Sequence, residues 1–137
     1  MSPATSKFGF ESTTDEVLEG VDLAGKLALV TGASGGLGEE TARALAAHGA
    51  RVVITARDIP KGEAVAAKIR ESTGNPDIEV ISLELDSLES VRACAQQFLA
   101  THDELNLLIN NAGVMACPFG KTQDGFEMQF GTNHLGH

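Results

Sequence analysis

The segment Thr31-Gly32-Ala33-Ser34-Gly35-Gly36-Leu37-Gly38 constrains this chain more than any other. It joins a short apolar run, Leu27-Ala28-Leu29-Val30, to a stretch from Gly35 to His48 with helical spacing. There Leu37, Thr41, Ala44, Leu45 and His48 fall on one side, and the pattern stops at Gly49. A strand that turns this tightly into a helix needs residues without a Cβ, and so does a diphosphate that must approach the backbone closely. The helix start adds unpaired N–H groups and the positive end of its dipole. The backbone amides of residues 32 to 38 are therefore read as a dinucleotide cradle, the alternative being a plain glycine-rich connection. No Gly-Lys-Ser/Thr closes the turn, which disfavours a P-loop nucleotide hydrolase.

The rest of the chain repeats the same alternation. Arg51 to Ala56 is β-branched and strand-like, and Pro60 suits the first turn of a helix running toward Gly74. Ile78 to Leu85 reads as a third strand. Asp86 to His102 reads as a helix, with Asp86 and Glu89 as its capping box. Leu105 to Asn110 reads as a fourth strand, and Thr122 to His137 as a further helix. Strands that are apolar throughout and alternate with helices predict a parallel sheet covered on both faces. The expected class is α/β, a partial doubly wound Rossmann fold with strand order 3-2-1-4, truncated in the helix after the fourth strand. Residues 1–25 are expected to be a lead-in, with one short helix opened by the capping box Thr13-Thr14-Asp15-Glu16 and closed by Gly20. Residues 26–137 are expected to form an incomplete dinucleotide-binding half-domain, its fourth strand an unpaired apolar edge prone to association.

Composition bounds the partners. The 137 residues suffice for one domain, and the net charge of −9 argues against nucleic acid. No apolar run approaches the ~18 residues of a membrane span. The first residues lack a signal-peptide pattern, so a cytoplasmic location is the default expectation. The two cysteines, Cys94 and Cys117, make neither a disulfide framework nor a metal cluster, and Cys94 sits in an apolar helical pattern. His134 and His137 stand three apart on a predicted helix, but two ligands without a third make a poor zinc site, so no metal is expected.

The position that reads the adenosine ribose lies about 20 residues beyond the glycines, at the end of the second strand. The chain there is Thr55-Ala56-Arg57-Asp58. An acid at the strand end would bind a 2′-hydroxyl, whereas Arg57 attracts a 2′-phosphate by charge and forked geometry. The expected cofactor is NADP; a register off by one would bring Asp58 there and favour NAD.

The glycine turn, Asp86-Ser87-Leu88-Glu89-Ser90-Val91 and Leu107-Leu108-Ile109-Asn110-Asn111-Ala112-Gly113-Val114-Met115 now form an ordered set. Together they resemble the classical short-chain dehydrogenase/reductase family, over roughly residues 20 to 137. The stretches Asp124 to Glu127 and Gly131 to His137 look like its retinol-dehydrogenase and WW-domain-oxidoreductase branch. The resemblance implies an NADP(H)-dependent oxidoreductase acting on a small-molecule aldehyde, ketone or alcohol, and a homodimer for the complete protein. It implies that Thr31, Gly32, Ser34, Gly35, Gly36 and Gly38 belong to the dinucleotide turn, with Leu37 near the nicotinamide end. Arg57 would hold the 2′-phosphate. Asp86 would bind the adenine amino group beside Ser87, a role compatible with capping the next helix. Asn110 would steady the sheet while Ala112 and Gly113 leave room for the ribose. Asn133 would be the catalytic Asn that holds a water in a proton relay.

The same resemblance expects a Tyr-x-x-x-Lys pair, in which the Lys brings the Tyr into working range. The 137 residues contain no Tyr. The chain is therefore expected to be the cofactor half, without turnover of its own. The alternatives are a non-catalytic nucleotide-binding or interaction module, and a non-functional truncated product.

Overall fold

The apolar run before the glycine turn forms β1 (Leu27–Val30), buried along its whole length. In the computed structural model, which describes residues 7–137, β1 is an inner strand of a four-stranded parallel sheet. It pairs with β2 (Arg51–Ala56), Leu27 opposite Arg51 and Val30 opposite Ile54. On its other side lies β4 (Leu107–Ile109), Ala28 opposite Leu107 and Val30 opposite Ile109. β3 (Ile78–Ser82) lies outside β2. The order β3-β2-β1-β4 is the one that right-handed crossovers predict. β4 is an edge, and its Leu108 is 56% exposed.

Alternate strand residues feed opposite faces of the sheet. Val30, Val52 and Ile54 pack on one face with Ala42 and Ala46 of α2 (Gly36–Ala47) and Val65 and Ile69 of α3 (Ile59–Thr73). Leu27, Leu29, Val53 and Ile81 pack on the other with Cys94 and Phe98 of α4 (Leu88–Thr101). Burial pushes the Cys94 thiol pKa up, which suits a small apolar filler.

The lead-in forms α1 (Thr14–Leu18) behind a complete capping box on Thr13 and Glu16. It docks on α2 through Arg43, which reaches both Asp15 and Glu40. The first six residues of the expected lead-in lie outside the described residues. Among the described residues no helix is long and apolar enough to cross a membrane.

Several boundaries differ from expectation for local reasons. β3 ends at Ser82 rather than Leu85, because β2 ends at Ala56 and only one more bond, Leu83 N–H to the Ala56 carbonyl, is left to make. α4 is capped by Ser87, whose hydroxyl accepts the Ser90 N–H, and not by Asp86. β4 covers only residues 107–109; the Asn106 side chain already bonds the Leu27 N–H at 2.7 Å. The final helix starts at residue 128, not 122. Thr122, Gly125 and Phe126 close a turn on themselves instead, with Gly125 at φ +88°. Glu127 then caps α5 (Met128–Phe130) by accepting the Gln129 and Phe130 N–H groups, and these bonds hold its carboxyl below the usual range. α5 runs directly into a π-helical turn, Gly131–Leu135.

The buried stripe of α2 is also offset from the expected one. Gly38, Ala42 and Ala46 face the sheet, while Leu37 is 82% exposed. Ala44 is buried and Leu45 packs against the core as expected, and both, with Thr41, also line the groove shared with Val17 and Leu18 of α1. Small residues win the inner face because α2 approaches the sheet closely at the turn.

Candidate functional site

All four strands run parallel, so their C-terminal ends meet at one edge of the sheet. The order reverses between β1 and β4, the switch point where open α/β sheets form a crevice. A cleft of about 410 Å³ lies there. Of the residues predicted from sequence, Gly32, Ser34, Arg57, Asp86, Ala112 and Gly113 line it.

The turn after β1 is shaped by absent side chains. Gly32 has φ +64°, and a Cβ on it would stand 2.8 Å from the Ala112 Cβ. A Cβ on Gly38 would stand 2.5 Å from the Gly32 carbonyl oxygen. Gly36, at φ +59°, needs its glycine for conformation alone, since a Cβ there would meet open space. Gly35 is the N-cap of α2 and supplies no capping side chain, unlike Asp58 for α3 and Ser87 for α4. The first amides of α2 are thus not met by a cap side chain.

The loop after β4 is tied to this turn. Asn111 Nδ2 donates to the carbonyl oxygens of Thr31 (2.9 Å) and Gly32 (3.3 Å). The Ala112 N–H donates to the Thr31 hydroxyl at 3.0 Å. The Asn that braces the sheet ends is therefore Asn111 and not Asn110, which is exposed and lies against the opposite, α4-side groove. Side chains alternate along an extended chain, so one position decides which side an Asn serves.

At the far end of the cleft, Arg57 lines the wall and makes no ion pair among the described residues. Asp58 is turned away, its carboxylate accepting the Lys61 N–H at 3.0 Å as the cap of α3. Asp86, half-buried, faces the cleft. Ser87 does not line it; its hydroxyl is engaged in capping α4. Leu37 projects into solvent outside the lining.

Asn133 sits in the π-helical turn. Its carboxamide accepts the Val114 N–H and donates to the Val114 carbonyl, both at 2.7 Å. Gly113 permits this approach, since a Cβ there would lie 3.2 Å from Asn133 Oδ1. Leu83, Leu85 and Met128 also line the cleft and carried no motif signal, and Val114 and Thr132, which line it too, lie inside the quoted motifs without having been given a role. For Leu83 and Leu85 the one available signal was their alternation beyond the strand end. The two C-terminal histidines diverge: His134 stacks on Phe130 and His137 reaches Thr31.

Comparison with known proteins agrees with this geometry. Mouse retinol dehydrogenase 12 is 54% identical over 117 residues, which are 85% of this chain and 37% of that protein. A structure of an uncharacterised protein from Mycobacterium paratuberculosis is 46% identical with TM-score 0.73, covering 85% of this chain and 40% of its own. A metagenomic short-chain oxidoreductase solved in complex with NADP is 43% identical with TM-score 0.62, covering 67% of this chain and 41% of its own. The chain thus spans well under half the length of these relatives. Residues 26–137 match the profile of the short chain dehydrogenases. With that match laid over a β3-β2-β1-β4 sheet and a glycine turn at its switch point, the chain belongs to the short-chain dehydrogenase family.

Proposed function

We propose that this chain binds NADP(H) in the cleft at its strand ends, as the cofactor-holding part of an oxidoreductase for a carbonyl or alcohol substrate. The observation that carries the cofactor choice is the split between Arg57 and Asp58. Arg57 faces the cleft without an ion-pair partner among the described residues, and the Asp58 carboxylate is engaged elsewhere as a helix cap. A 2′-phosphate there meets a forked cation and no acid from the same loop.

The remaining residues fit the rest of such a group. The turn from Gly32 to Gly38 leaves the space a diphosphate needs, since Cβ atoms at Gly32 and Gly38 would fill it. The amides at the start of α2 supply donors and a favourable dipole. Asp86 serves the adenine amino group, and Ala112 and Gly113 leave room for a ribose. Asn133, by gripping Val114 on both backbone atoms, orients the loop beside the nicotinamide end and takes part in proton relay. When bound, the nicotinamide supplies or accepts a hydride, and the protein supplies position and proton handling. With no Tyr among the 137 residues, this chain by itself binds without turnover. Binding without turnover is also how a non-catalytic nucleotide module would behave.

NADPH fluorescence titration tests the reading cleanly, because the chain has no Trp or Tyr. NADPH is expected to bind at least about tenfold more tightly than NADH, the value of one charge-assisted hydrogen bond. Equal affinities would overturn the NADP preference, and binding of neither would overturn the site. Consumption of NADPH with an added aldehyde would refute the absence of turnover.

A further inference from the structure

The chain's final residues bring a side chain that the cofactor reading does not use against the glycine turn. Gly136 makes the approach possible, since a Cβ on it would run into the Leu85 carbonyl oxygen. The next residue, His137, places Nε2 2.9 Å from the Thr31 hydroxyl and Nδ1 3.3 Å from the Asn133 carbonyl oxygen. Thr31 is only 3% exposed, and the same hydroxyl accepts the Ala112 N–H. Asn133 grips Val114, two residues after Ala112. A closed circuit therefore runs from Thr31 through Ala112, Val114, Asn133 and His137 back to Thr31. It joins the turn after β1, the loop after β4 and the π-helical turn, the three segments that border the cleft on that side.

Hydrogen-bond chemistry sets the direction of this circuit. A carbonyl oxygen only accepts, so the His137 proton sits on Nδ1 and points at Asn133. Nε2 of the neutral ring then carries a lone pair. The Thr31 hydroxyl, already accepting from Ala112, has its own hydrogen to donate to that nitrogen. Each donor is used once and each acceptor is compatible. His134, in the same turn, stacks on Phe130 at 5.2 Å between ring centroids and has no part in the circuit.

We infer that His137 is a positioning residue for the cofactor cleft, a neutral Nδ1–H ring that locks the Thr31 hydroxyl, and through it the Ala112 amide, to the turn carrying Asn133. The consequence for cofactor affinity rests on the NADP(H) reading above; the ring's protonation pattern does not.

Two measurements test it. In ring-nitrogen NMR at a pH where the four histidines are neutral, His137 is expected as the Nδ1–H tautomer. Thr31→Val is expected to shift its Nε2 signal. An Nε2–H tautomer, or a signal indifferent to Thr31→Val, would overturn the inference. In NADPH titrations, His137→Ala is expected to weaken binding about five- to tenfold, the effect of one lost hydrogen bond beside a buried hydroxyl. Thr31→Val should do the same, and the double variant should be no worse than either single, because both remove one shared link. His137→Gln, which offers a donor and an acceptor on one flat group, should recover affinity to within about twofold of wild type. His134→Ala should bind normally. Unchanged affinity in His137→Ala, or additive losses in the double variant, would overturn the inference. A wild-type chain that binds no NADPH would sink the cofactor reading, while the tautomer still decides the circuit. Should His137→Ala fail to fold, the affinity of His137→Gln and the wild-type tautomer decide between the two outcomes.

Discussion

The Asn111 side-chain nitrogen stands 2.6 Å from where a Cβ on Gly38 would be, while donating to the Thr31 carbonyl at 2.9 Å. Helix α2, the glycine turn and the loop after β4 therefore share one contact that neither a larger residue 38 nor a missing amide at 111 can keep. Gly38→Ala is expected to cost about 1–3 kcal/mol, because the added methyl meets backbone that cannot swing aside. Urea denaturation would show it as a lower midpoint, and an unchanged midpoint would refute the packing argument.

The two adjacent asparagines are expected to behave differently. Asn111→Ala removes donors to two carbonyl oxygens at the end of β1 and should cost about 1–2 kcal/mol. Asn110, exposed, should tolerate Ala within about 0.5 kcal/mol. Similar losses at the two positions, measured by the same denaturation, would contradict the assignment.

Arg57 and Asp58 should separate binding from stability. Arg57→Ala is expected to weaken NADPH about ten- to hundredfold and leave NADH nearly unchanged, since only the former carries the 2′-phosphate. Asp58→Ala should leave the preference for NADPH intact and cost about 1 kcal/mol of stability through the lost cap of α3. A variant at Asp58 that reversed the preference would show that Asp58, and not Arg57, meets the ribose.

The docking of α1 should respond to acid. Hydrogen bonds from Arg43, and secondarily from Thr14, pull the Glu40 carboxyl from 4.5 to about 2. A carboxyl held low in the folded state stabilises it above the unfolded value and loses that contribution as pH falls through the folded one. The α1–α2 contact should therefore weaken between pH 4.5 and about 2. The contribution is about 1 kcal/mol at most, because Glu40 is half exposed and solvent screens the pair. Amide protection factors at residues 14–18, corrected for intrinsic exchange, should fall across that window in the wild type and fall less in Glu40→Gln, which starts lower and keeps only the Thr13–Glu16 cap as a pH-sensitive support of α1.

The strands, their order and the glycine turn were legible because each follows a local rule. A parallel sheet buries both faces, so Leu27–Val30 and Arg51–Ala56 read as apolar runs. Chirality limits the crossovers. The cleft's glycines were legible because a tight strand-to-helix turn beside backbone tolerates little else. The last helix was not legible beyond its existence. Phe126, Phe130 and Asn133 keep helical spacing, yet the Thr122–Phe126 turn and the Glu127 cap delay the helix to Met128.

Local order along the chain was thus enough to specify a dinucleotide-type sheet with its turn at Gly32–Gly38, since period, chirality and glycine chemistry act between near neighbours in sequence. Whether Asn110 or Asn111 braces the sheet, whether Arg57 or Asp58 faces the cleft, and that His137 closes on Thr31 across 106 positions were settled by packing alone. Each depends on a rotation of one residue about the chain, and that rotation is set by which partner, remote in sequence, fills the space or completes the hydrogen bond.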